Sequence, residues 1–157
     1  MKNKIHTATL LLLLFIQSLA MAGDLPDPRL TPGAIDQSIT QSNIQTTVCI
    51  KGYTKTVRPP VYFTNGLKKK QIIEYGYDDT NPTHYEEDHL IPLSIGGSPD
   101  DPSNLWPQPR ISEWDASKKD VLELKIYKLV CDGAVPLDEA RKAMSSNWIE
   151  AYKRYVK

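Results

Sequence analysis

The chain has 157 residues, with 19 basic and 19 acidic side chains and a formal net charge of zero. That length suits one modest domain. The balanced charge argues against a polycationic nucleic-acid coat, so any polyanion site must come from local clustering of cations.

Lys2 and Lys4 precede an apolar run from Thr9 to Leu19, and Ala20-Met21-Ala22 follows with small residues where a signal peptidase reads them. This is the pattern of a secretory signal peptide over residues 1–22, cleaved after Ala22. A membrane anchor is the competing reading, but the run is short for a span. Export to the periplasm or beyond the cell is therefore expected, with no stable membrane anchor. Without Lys2 and Lys4 the mature chain carries 17 basic against 19 acidic residues.

Residues 23–47 hold several prolines and no periodicity, and read as an extended leader; residues 48–157 form the predicted domain. Only two cysteines are present, Cys49 and Cys131. An oxidising compartment favours their pairing, with two free buried thiols as the alternative. Their separation has no metal-ligand spacing, which argues against a zinc knuckle.

Thr64-Asn65 can cap a helix from about Gly66 to Tyr75 that stops at Gly76, with Leu67, Ile72 and Ile73 on its inner face. Lys68-Lys69-Lys70 is either a phosphate-contacting patch or a solvated turn. Asp78 to Thr83 is a turn-rich loop. Two short apolar runs follow, one beginning at Asp88-His89 and one opened by Asn104, separated by a loop whose tip is Gly96 to Pro102. Asp115-Ala116-Ser117 opens a helix with Val121, Leu122, Ile126, Leu129 and Val130 at helical spacing, terminated by Gly133. Asp138 to Met144 reads as a short helix. Ser146-Asn147 then caps a last one, with Trp148, Ala151, Tyr152 and Tyr155 facing inward.

Strand, loop, strand and helix, with Asp-His on the first strand and Asn opening the second, resembles the HNH (ββα-metal) endonuclease superfamily. The motifs that carry the resemblance are YEEDHLIPLSIGG, NLWPQ and the helix KDVLELKIYKLVCDG. With the proline-rich leader and the SNWIEAYKRYV end, they look like small exported bacterial proteins with an HNH-type domain. The resemblance implies an α+β fold, a ββα-metal core with additional helices and one disulfide. It also implies a metal-dependent nuclease hydrolysing phosphodiester bonds of DNA, with RNA as the alternative substrate.

Carried onto this chain, Asp88 is a metal ligand, His89 the general base, and Asn104 the residue that braces the loop and orients the imidazole. The third position falls on Asp115, where the family usually shows His or Asn. Aspartate there is either a second metal ligand, which favours magnesium or manganese over zinc, or a helix N-cap. Lys119, Lys118 and Arg110 are expected phosphate contacts, and His84 a further substrate contact. Of Glu86 and Glu87, one is expected as a hydrogen-bond partner to the site and the other to face solvent. Trp106, Trp114 and Trp148 read as core residues before base-stacking platforms. The competing function is an inactive exported binding or structural module that keeps the HNH frame.

Overall fold

The computed structural model describes residues 23–156, so the expected signal segment lies outside the described residues. The fold is α+β. Its elements are α1 (Tyr53–Val57), α2 (Val61–Glu74), β1 (Tyr85–His89), β2 (Leu105–Pro109), α3 (Ala116–Cys131) and α4 (Leu137–Tyr155), joined by short 3₁₀ turns. The strands pair antiparallel, with Asp88 opposite Trp106 and His89 opposite Leu105. Helix α2 packs on this hairpin, and α3 packs on α4. Among the described residues no helix is long and apolar enough to cross a membrane.

Helix α2 begins at Val61, five residues before the expected start, with Pro60 as its N-cap. Pro59-Pro60 sets the extended entry, and a proline at the boundary sacrifices no ladder donor. Thr64, expected as a cap, sits inside the helix and donates its hydroxyl to the Val61 carbonyl. Gly76, at φ 68°, ends the helix as expected. Ile72 is buried, but Ile73 is exposed. The inner face instead uses Gln71, whose Nε2 donates to the carbonyls of Pro102 and Leu105 and so fastens α2 to the start of β2.

Helix α3 buries Ala116, Lys119, Leu122, Ile126 and Val130, a stripe of i, i+3 and i+4 steps. Val121, expected on that stripe, lies outside it and is exposed. Helix α4 is broken at Asn147, whose φ of −168° and ψ of 96° leave the helical region. The Asn147 side chain accepts from the backbone N–H groups of Ile149 and Glu150, so the chain restarts there as a capped helix. The expected pair of helices is thus present, joined end to end at Asn147, which caps the second.

Cys49 and Cys131 form a disulfide with a Cα–Cα distance of 5.7 Å. Trp106 and Trp148 are completely buried, and Trp114 packs edge-on against Trp148 and Tyr152. Trp106 and Trp148 offer no open face to a base, and the half-buried Trp114 has Lys118 and Lys153 over its ring. The stretch before Val48 lies on the body through specific bonds: Thr31 donates to the Leu105 carbonyl, and Asp24 accepts from the Trp148 indole. Arg141 of α4 is buried and donates to the carbonyls of Ile39 and Ile95 at 3.0 and 2.9 Å.

Candidate functional site

Strand β1 ends at His89, so neighbouring side chains that would alternate across a longer strand both reach one cavity. This cavity, of about 480 Å³, is lined by Glu86, Asp88 and His89 from β1, by Asp120 and Glu123 from α3, and by the Val48–Thr54 stretch with Arg58. The disulfide explains why residues 48–54 form a wall: it ties Cys49 to the end of α3.

The His89 ring is buried, and its Nε2 lies 2.8 Å from the Pro99 carbonyl. A carbonyl only accepts, so Nε2 carries the hydrogen. In the neutral ring Nδ1 then keeps its lone pair, and it has no hydrogen-bond partner among the described residues. Burial lowers the imidazole pKa, against the Pro99 carbonyl and Asp88, which raise it. The ring is accordingly neutral at neutral pH, with the Nδ1 lone pair free.

Asn104 braces the loop that carries Pro99. Its Oδ1 accepts from the Ile91 N–H, and its Nδ2 donates to the carbonyls of Ile91 and Ser98. The expected direct bond from Asn104 to His89 is not the one that forms; the Pro99 carbonyl orients the ring, and Asn104 holds the loop behind it. The close fit explains Gly97: a Cβ there would lie 1.8 Å from the Ile91 carbonyl oxygen.

Lys119 is the surprise of the site. Expected as a phosphate contact, it is 1 % exposed. Its Nζ lies 2.6 Å from Asp88 Oδ2 and 2.5 Å from Glu123 Oε1, and donates to the His89 carbonyl at 2.7 Å. Burial alone would pull the lysine pKa down, but the two carboxylates outweigh it and the net shift is upward. Glu123 moves up in turn through burial, despite the ammonium beside it.

No family model, curated protein or solved structure matches this chain.

The other expected site residues are dispersed. Asp115 is the N-cap of α3: its carboxylate accepts from the Ser117 hydroxyl at 2.6 Å and the Lys118 N–H at 3.2 Å, and these bonds hold its pKa down. It does not line the cavity. Lys118 points away, donating to the Glu113 carbonyl and lying over the Trp114 ring. Arg110 pairs with Glu86 at 3.1 Å, beside the cavity rather than in its wall. His84 is bonded to Asp79 at 2.6 Å in the preceding turn. The cations that do line the cavity are Lys51 and Arg58. Pairing Cys49 with the end of α3 was the signal in the sequence that could have brought the 48–58 stretch to the site.

Glu87 does not face solvent. Both its carboxylate oxygens are buried without a hydrogen-bond partner among the described residues, and burial pushes its pKa up to about 8.

The metal implied by the resemblance can be tested against these donors. Among the described residues no three His, Cys, Asp or Glu side chains are placed to hold an ion. Asp88 and Glu123 already grip an ammonium. A divalent ion about 4 Å from that fixed charge would be repelled by roughly 8 kcal/mol at an effective dielectric of about 20. As arranged, the residues do not fit a divalent metal.

Proposed function

We propose that this chain is an exported hydrolase of nucleic-acid phosphodiester bonds, DNA before RNA, on an HNH-like ββα frame made by β1, β2 and α3. The observation that carries the reading is the His89 ring: one nitrogen tied to the Pro99 carbonyl, the other left as a base, at the wall of a cavity large enough for a nucleotide. The N-terminal apolar segment and the disulfide support export.

In this reading His89 Nδ1 takes a proton from water as the water oxygen attacks phosphorus. The new P–O bond forms as the bond to the leaving oxygen breaks on the opposite side of phosphorus; that oxygen takes a proton from solvent, and the imidazolium returns its own to solvent. Lys51 and Arg58 offset charge on the non-bridging oxygens. Asn104 contributes through the loop that presents the Pro99 carbonyl.

The second reading, a binding module that keeps the frame without activity, draws on the four carboxylates in the wall, Glu86, Asp88, Asp120 and Glu123. They repel an incoming phosphate. Nicking of supercoiled plasmid by the oxidised protein, in Mg²⁺, Mn²⁺ or EDTA, separates the two. Cleavage under any of these conditions that is abolished by His89→Ala sustains the hydrolase. Absence of cleavage by folded protein in all three leaves the module.

A further inference from the structure

We infer that the Lys119 ammonium is a resident internal cation, seated where the cavity would otherwise hold a divalent ion, and that it keeps this position closed to metal. The inference goes beyond the hydrolase reading and stands whether or not the cavity cleaves anything.

The argument begins with the nest around Nζ. Three oxygens surround it at 2.5 to 2.7 Å: a carboxylate from β1, a carboxylate from the next turn of α3, and the main-chain carbonyl of His89. Hard oxygens, two of them charged and one from the backbone, are the donor set that magnesium, manganese and calcium select. Here the set closes on an ammonium whose side chain is 1 % exposed. Such burial excludes a role in catching substrate from solvent.

The same arrangement explains why α3 places a lysine on its apolar stripe. Four carboxylates converge on this cavity, from Glu86, Asp88, Asp120 and Glu123. Arg110 neutralises Glu86 from outside. Asp88 and Glu123 have Lys119 as their shared partner, and without it both would be left uncompensated. Because Nζ also holds the His89 carbonyl, this single charge fixes the end of β1 and hence the root of the imidazole. An ion in the same place would have to displace a side chain held by two hydrogen bonds and an ion pair.

The test reads cation binding rather than turnover. Mn²⁺ is titrated into the oxidised wild-type protein and into Lys119→Met, with free Mn²⁺ followed by electron paramagnetic resonance and Tm followed in parallel. The expected result is no saturable Mn²⁺ binding by the wild type. Lys119→Met should bind one equivalent, with a Kd on the order of 0.1 mM, typical of weak oxygen-ligand sites. Its Tm should rise with Mn²⁺, and the gain should vanish in Lys119→Met/Asp88→Asn. Two results overturn the inference: a folded Lys119→Met that binds no Mn²⁺, or a wild type that binds one equivalent lost in Asp88→Asn. If Lys119→Met does not fold, Lys119→Gln takes its place in the same titration with the same two refuting results, and wild-type binding lost in Asp88→Asn refutes the inference in either case. Failure of plasmid nicking leaves this result untouched, so the two readings fail separately.

Discussion

Replacing Asn104 with alanine tests how the site is held. The side chain fills a gap between Ile91 and Ser98 and makes three bonds there, two of them to the buried main chain of Ile91. Alanine leaves the Ile91 N–H and C=O unpaired in a region closed to water. Each orphaned group costs about 1–3 kcal/mol, so the expected loss from the two is about 2–6 kcal/mol. With an unfolding entropy of roughly 2 cal/mol/K per residue over about 135 residues, that corresponds to a Tm lower by roughly 7–22 °C. The loss should appear as a shift in the urea midpoint with the slope unchanged. A second readout follows from the loop. Once it slackens, the Pro99 carbonyl no longer fixes the His89 tautomer, and the ring ¹⁵N shifts should move from a single Nε2–H form toward a mixture. A loss under about 1 kcal/mol, or an unchanged tautomer in a clearly destabilised variant, would refute this account of the brace.

Two further outcomes are expected. Converting Cys49 and Cys131 to alanine opens a loop of 82 residues; chain entropy sets a ceiling of about 4–5 kcal/mol on the loss, read by urea unfolding against the oxidised parent. Glu87→Gln should stabilise the protein more near pH 9 than near pH 4. The Glu87 pKa is raised in the fold to about 8 from an ordinary 4.5. Between those values the folded state binds the extra proton, so its stability falls as pH rises. The difference between the two pH values should be on the order of 2–4 kcal/mol, and an equal effect at both would show that the fold does not raise the Glu87 pKa.

Much of the fold was legible in local signals. Glycines at 76 and 133 end the helices they were expected to end, and Asn147 caps the last segment. A strand–loop–strand forms where it was expected, but Asp88 and His89 close the first strand rather than open it, and Asn104 sits in the turn just before the second. Where reading failed, tertiary contacts outweighed the local pattern. Thr64 and Asn65 resemble a cap, but the two prolines upstream had already started the helix. Ile73 and Val121 have the hydropathy of core positions, yet the partners of α2 and α3 lie one residue round the helix. Lys119 was the hardest case. A lysine in the run Ser117-Lys118-Lys119-Asp120 reads as a phosphate contact facing the cleft, and only the carboxylates of Asp88 and Glu123 make its burial favourable. Lys51 and Arg58 reach the cavity because a crosslink between distant residues carries them there.

Arg141 has a consequence for how this protein can be cut. One guanidinium from near the chain's end clasps a carbonyl before Val48 and another just after β1. Trimming the molecule back to residue 48 would discard the first acceptor and leave a positive charge half-stranded in the interior. Nor can the early stretch peel off alone, because its departure would undo a bond network that also steadies the turn at Ile95. Protease nicking ahead of Cys49 should therefore track global unfolding rather than local fraying.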